Sequence, residues 1–497
     1  MSHFLHWPVP AYRLPAMGRT PRGLLMMAAN LLMVVAVTHA ARLDDLPVET
    51  ATYLGGAGDD AAGGAGVAGD GTLLFGGTLP AHTPGGAPST DLLGGGDGAV
   101  VRLSADGRQV IEVARLGSSI LDLEVVGDHR VAVAAEGLGL VLIEAGLDAA
   151  AWHDPLDDPA RVATGGTAAA PRVAVLTASK TVRVFDGDGG FLGERTFGDS
   201  EVADVAVSPD GGRVVVTGFN NRSTGGTPVQ VPFLRAYDPT LAVELWRAYD
   251  WSAGQLVSEQ DGSLADSRGV RVAFGEDGLL YFAGRTDGGN NTFRYDPLIV
   301  DRPLPADELI SHDIYSNTAG ISGAFSITVF GRFDPSDGDV VKLQYLLARL
   351  SSGNGNSVAP SAITADASGR VFLGGQAFAR IQDRDEQKIA GQDVGPYQGG
   401  EAFLLAIDAD FTQRDVWTVF TDAGGSQGST TTALGLRGDR VVWAASLGND
   451  TALMLRHQAL QPARDAGRSA YFATRLWSLF DDGFESGDTD AWSSSQL

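Results

Sequence analysis

The amino-acid sequence predicts an all-β fold made of repeated four-stranded units. Three observations predict it. Apolar residues alternate in short runs along most of the chain. Asp-Gly and Gly-Asp pairs punctuate those runs at hairpin spacing. The 497 residues include 66 Gly, and only 8% are aromatic. Alternation marks a half-buried strand, and Asp-Gly between two such runs marks a hairpin because its turn needs positive φ.

Composition narrows the field. The chain is 44% hydrophobic and 20% charged, with 61 acids, 36 bases and no Cys. Disulfide scaffolds, thiolate metal sites and Cys nucleophiles are excluded. Gly has no three-residue period, which excludes collagen. The formal net charge of −25 argues against a nucleic-acid partner, which requires a basic face. Only three bases are Lys (Lys180, Lys342, Lys388), while Ala, Gly, Arg and Asp are abundant. That bias fits GC-rich bacterial coding. The acidity reads as a solubilising surface.

Residues 1–40 read as a secretory signal. They hold no acid and three Arg (Arg13, Arg19, Arg22), then an apolar run from Gly23 to Val37, then Thr38-His39-Ala40. Cleavage is expected after Ala40, with Ala41 as the alternative. The run is shorter than the ~20 residues a membrane span needs. Met17 would begin a signal of more ordinary length. No Cys follows the cut, so no lipoprotein is expected, and no later segment is apolar enough to span a bilayer. The expected location is outside the cytoplasm: secreted, cell-surface or periplasmic. A Cys-free exported chain must draw its stability from a large core, which about 450 residues can supply.

Residues 41–478 repeat a hairpin. The clearest copy runs from Ile363 to Gly375 and turns at Asp366 to Gly369. Others run from Val205 to Gly218, Val270 to Thr286 and Gly66 to Thr78. Weaker ones run from Leu121 to Ala135, Ala433 to Ala445 and Arg172 to Thr181. Third strands follow at Ala99 to Leu103, Thr181 to Phe185, Phe233 to Tyr237 and Phe403 to Ile407. More polar fourth strands close the units at Val110 to Leu116, Phe191 to Phe197, Val243 to Tyr249 and Val416 to Phe420. Four antiparallel strands per unit, repeated about seven times, predict a single β-propeller of seven blades, with six or eight as alternatives. Inner strands should be small and apolar, and outer strands polar. The longest insertion is expected from Asp287 to Phe325, a place for function. No long helix is expected.

Thr52-Tyr53-Leu54-Gly55-Gly56-Ala57-Gly58-Asp59-Asp60, running on to Asp70-Gly71-Thr72-Leu73-Leu74-Phe75-Gly76-Gly77-Thr78, resembles the bacterial β-propeller repeat of the SBBP type. The other copies match its second half. The resemblance implies an exported propeller of bacterial surface proteins and carries no catalytic residues with it. It also implies that Tyr53-Leu54-Gly55-Gly56 ends an outer strand. The N-terminal strand, about Glu49 to Leu54, should therefore complete the last blade against partners within Thr451 to Trp477, removing exposed edges.

Residues 479–497 are expected to form a flexible acidic tail. Asp482-Gly483-Phe484-Glu485-Ser486-Gly487-Asp488-Thr489-Asp490-Ala491-Trp492-Ser493 resembles a short motif that recurs at the ends of exported proteobacterial proteins. The resemblance implies a recognition peptide for secretion or display, with Phe484, Glu485 and Trp492 as contacts.

Chemistry is sparse. His82, His129, His153, His312 and His457 lie far apart and make no ligand spacing. Gly424-Gly425-Ser426-Gln427-Gly428 has the letters of a nucleophile elbow, but no helix start follows Ser426. Trp246, Trp251, Trp417 and Trp443 show no repeated quinone-docking motif. Asp186 and Asp188, two apart in a tight loop, are weak calcium candidates, with plain turn chemistry as the stronger reading. The expected function is non-enzymatic: a surface or secreted binding module for proteins or glycans of the cell envelope. The alternatives are a propeller enzyme (hydrolase, lyase or quinone oxidoreductase) and a structural surface component. Carboxylates, His or Arg gathered in a channel would speak for the enzyme.

Overall fold

The computed structural model describes residues 45–477, apart from position 81 and segments 225–226, 261–264, 289–290, 319–325, 398, 421–427, 449–454 and 465–466. Ala40 and Ala41 at the expected cleavage site, Ser426, and Phe484, Glu485 and Trp492 of the expected tail lie outside the described residues.

The fold is all-β. Among the described residues, seven sheets hold four or five strands each. Their first strands are Ala61–Val67, Ile120–Val126, Pro159–Thr167, Ser200–Val207, Ser267–Phe274, Val358–Ala365 and Ser429–Arg437, opening sheets 1 to 7 in that order. In each sheet four strands pair antiparallel with their neighbours. First strands of consecutive sheets lie side by side, and that of sheet 7 lies against that of sheet 1. Apolar cores fill the spaces between facing sheets. Leu74, Val100 and Ala114 of sheet 1 pack with Leu123, Val131 and Val141 of sheet 2, and Phe75 and Val101 pack with Val442 and Phe472 of sheet 7.

The repeat was legible at strand level, with one shift. The copy placed at Arg172 to Thr181 joins the second and third strands of sheet 3, not the first two. The true first hairpin pairs Pro159–Thr167 with Ala170–Thr177, and its link has no Asp-Gly. The one described α-helix, Ala253–Glu259, is short and is capped by Ser252, whose Oγ accepts from the Gln255 N–H.

The termini meet in sheet 7. Thr50–Leu54 pairs antiparallel with Ser469–Leu476, Thr50 opposite Thr474 and Leu54 opposite Ala470. It is the outermost of that sheet's four strands and is buried throughout. A second bridge, Ala51 to His457, covers its free edge.

Outer strands depart from expectation. Those of sheets 2 and 3 are indeed partly exposed. In sheets 1 and 5 an added strand runs parallel to the outer one: Ser89–Gly95 beside Val110–Leu116, and Leu309–Ile310 beside Val340–Leu346. Covering an edge satisfies its backbone groups and buries the strand. Apolar content in those outer strands follows from this cover.

Connections are unequal at the two ends of the sheets. Strand 1 to strand 2 in every sheet, and strand 3 to strand 4 in sheets 1 to 6, are joined by two to six residues. Every longer connection joins strand 2 to 3 or leads from strand 4 to the next sheet. These include 79–97, 250–266, 287–326, 378–400 and 448–468. In a meander these two kinds of link leave at opposite ends. The short-turn end is gathered by bonds between neighbouring sheets: Gly69 donates to the Asp128 carbonyl and Gly166 to that of Ser208. The expected insertion occupies 287–326, with a 3₁₀ turn at Thr292–Arg294.

Candidate functional site

A narrow cavity lies where the seven first strands converge. Each first strand carries a β-bulge at the same place. The extra residues are Gly63, Leu121, Ala160, Ala203, Val270, Ser361 and Thr432. A bulge re-aims the side chain beside it. The residue after each bulge forms a layer. In sheets 2 to 5 that residue is Asp122, Arg161, Asp204 and Arg271, and in sheets 1, 6 and 7 it is Gly64, Ala362 and Ala433. Four consecutive sheets thus present alternating charge, and the other three present small residues. Residues of all seven sheets line a cavity of about 80 Å³ at this level.

The Asp carboxylates are engaged. Asp122 Oδ2 accepts from the Val162 N–H of sheet 3 at 3.0 Å, and Asp204 Oδ2 accepts from the Val272 N–H of sheet 5 at 3.0 Å. Arg271 Nε donates to the Ser361 carbonyl of sheet 6 at 2.5 Å. Ser361 Oγ donates in turn to the Thr431 carbonyl of sheet 7. These bonds tie sheet to sheet. Burial pushes the Asp122 carboxyl up to about 6, against the pull of Arg161. Burial also raises Asp204, with Arg271 opposing, and lowers Arg271 to about 10, with Arg161 adding repulsion.

Two residues further along each first strand lies a second layer. It consists of Gly66, Ala163, Ala206, Ala273, Thr364 and Gly435, with Glu124 in the remaining place. All seven line a wider cavity of about 600 Å³ that continues from the narrow one. The small side chains make the room. Gly435 also permits a close approach, since a Cβ there would lie 2.6 Å from Gly66 Cα. Glu124 borders both cavities. The side chain is exposed, and desolvation by the surrounding sheets, with Asp122 and Asp204 adding repulsion, raises its carboxyl above the usual carboxylate range. At the mouth, Arg437 Nη2 meets Asp128 Oδ1 at 2.5 Å, and Glu276 Oε1 accepts from the Gly438 N–H at 2.8 Å.

None of these five ionisable residues was singled out from sequence. The signal was present: Leu121-Asp122-Leu123, Arg161-Val162, Asp204-Val205 and Val270-Arg271-Val272 break apolar strands at equivalent places. Aligning the hairpins on their bulges would have exposed it.

Several of the residues that were singled out have structural partners. Asp186 Oδ1 accepts from the N–H groups of Asp188 (3.0 Å) and Gly190 (2.7 Å), so the loop is a self-satisfied hairpin turn. Among the described residues, no three His, Cys, Asp or Glu converge as metal ligands. His153 Nε2 bonds the Leu138 carbonyl, and His312 sits beside Asp313 at 3.8 Å. Trp417 and Trp443 are core residues, and Trp246 donates to the Pro335 carbonyl at 2.9 Å. Among the described residues, no helix is long and apolar enough to cross a membrane.

Comparison with protein-family models found no match, and comparison with curated proteins found none either. Among solved structures, one titled "Structure of U3-55K" is similar at a TM-score of 0.45 and 10% identity, covering 83% of this chain and 95% of that one. A likeness this loose carries no functional relationship.

Proposed function

We propose that the seven sheets are the blades of one β-propeller, closed by the terminal strands, and that the protein is an exported, non-enzymatic binding module. The partner class is a protein or glycan of the cell envelope. The observation that carries the binding reading is the inequality of the two ends: every long connection leaves on one side of the ring. Rigid scaffolds place recognition on such loops. Exposed apolar side chains stand among them, including Ile314 (59%) and Phe378 (40%). Export rests on the basic, then apolar, N-terminal segment, and the tail residues Phe484, Glu485 and Trp492 would serve display or secretion.

The charged layer in the channel is what an enzyme reading would use. It is disfavoured because Asp122 and Asp204 are committed to backbone N–H groups of the next sheet.

Photo-crosslinking tests the face. A crosslinker at Phe378 or Ile314 should capture envelope components, and one at Arg213 or Asp410, on the short-turn side, should not. Equal capture from both sides, or capture from the short-turn side alone, would overturn the assignment.

A further inference from the structure

We infer that the channel is a binding site for a ligand bearing a primary ammonium group, with Glu124 as its counter-ion. Four observations converge there. The cavity is walled by all seven sheets and totals about 600 Å³ in its wide part, room for a small organic molecule. Glu124 is the one ionisable side chain in a layer otherwise of Gly, Ala and Thr. No hydrogen bond engages its carboxyl among the described residues, whereas its neighbours Asp122 and Asp204 are bonded. The narrow cavity of about 80 Å³ beyond it admits an ammonium head and excludes a bulky one.

Charge balance selects the ligand's sign. Three carboxylates (Asp122, Glu124, Asp204) face two guanidinium groups (Arg161, Arg271), a deficit of one positive charge. A monovalent cation beside Glu124 balances this deficit, whereas an anion would enlarge an imbalance of its own sign. A divalent metal fits poorly, because Glu124 is a single uncommitted carboxylate and the described residues gather no ligand set around it. At the mouth, Asp128 and Glu276 outnumber Arg437, so the entrance also favours a cation. The body of the ligand would rest against the small-residue layer. This site is separate from the loop face proposed above, and either can fail alone.

Calorimetry on the mature protein tests it, with butylamine and putrescine as probes and sodium and calcium chloride as comparisons. At pH 7 both amines should bind, with a heat that saturates at one equivalent. Glu124→Gln should weaken binding by about tenfold or more, as when one partner of a desolvated charge pair is removed. That variant should melt no lower than the parent, since it keeps the shape of the side chain and removes one of three neighbouring carboxylates. Ala163→Leu, which fills the wide cavity, should block putrescine independently. Absence of amine binding, amine binding unchanged in Glu124→Gln, or calcium binding in place of amines would overturn the inference.

Discussion

Tyr53 and Tyr471 meet edge to face, ring centroids 6.4 Å apart, although they come from opposite ends of the chain. Both are fully buried. Around them Glu49 pairs with Arg440, and Thr50 Oγ1 donates to the Asp106 carbonyl at 2.7 Å. The strand Thr50–Leu54 is therefore core, not trimming. Tyr53→Ala is expected to cost about 3–5 kcal/mol, the range for a buried aromatic. Deleting residues 41–55 should lower the thermal midpoint far more than an ordinary terminal trim. A deletion variant that melts like the parent would refute the role of this strand in closure.

The buried pair Arg384–Glu401 predicts a contrast between single and double variants. The two side chains are 2% and 1% exposed. Arg384→Met leaves the Glu401 carboxylate without its guanidinium and should cost about 3–5 kcal/mol. Combining it with Glu401→Leu should restore most of that loss. Denaturant titration of the three variants gives the coupling directly. Additive losses would show that the pair is not a unit.

Close approach of first strands makes Gly435 irreplaceable. A Cβ would press on the backbone of Ala65 and Gly66, at 2.7 Å from the Ala65 carbonyl oxygen. Gly435→Ala should destabilise by about 1–3 kcal/mol, the usual cost of overpacking. Gly438→Ala, with open space at its Cβ but a φ of 59°, separates backbone strain from crowding. Equal melting of Gly435→Ala and the parent would mean that sheets 7 and 1 can part without cost.

The channel acids set a pH dependence. Asp122, Asp204 and Glu124 all have raised folded values, so the folded state holds protons that the unfolded chain has released. Their contribution is favourable below the unfolded carboxylate range near pH 4 and is lost as pH rises, for Asp122 through about 6. Asp70, Asp210 and Asp313 are lowered and act oppositely, in the window below the unfolded range. Asp122→Asn should flatten the decline between pH 4 and 6 in a urea series. An unchanged slope would place that decline elsewhere.

Much of the architecture was written in local pattern. The turns at Asp277-Gly278 and Ser368-Gly369, which mark Val270 to Thr286 and Ile363 to Gly375, require positive φ at their glycines, and both have it. Sheet 3 was misphased because its first link, between Thr167 and Ala170, lacks that signal. The channel was not legible, because a bulge shifts side-chain phase by one residue and strict alternation then misassigns everything before it. Strict alternation puts Asp122 on the face opposite Leu121 and Leu123, where nothing marks it out. Cover of the outer strands was hidden for another reason: the parallel pairing of Leu309–Ile310 with Val340–Leu346 is a long-range event with no local signature.

The unequal ends of the sheets have a consequence for how this chain can change. Stability resides in first strands, facing cores and tight corners, and also where the long connections dip into those cores, as at Phe293, Ile381 and Arg384. Only the exposed stretches between such anchors, for example 257–259 and 351–354, can be rewritten or lengthened without a message reaching the axis. Such a chain interleaves its fixed and its free text within single passages, so the sheets can stay constant while the exposed wording drifts.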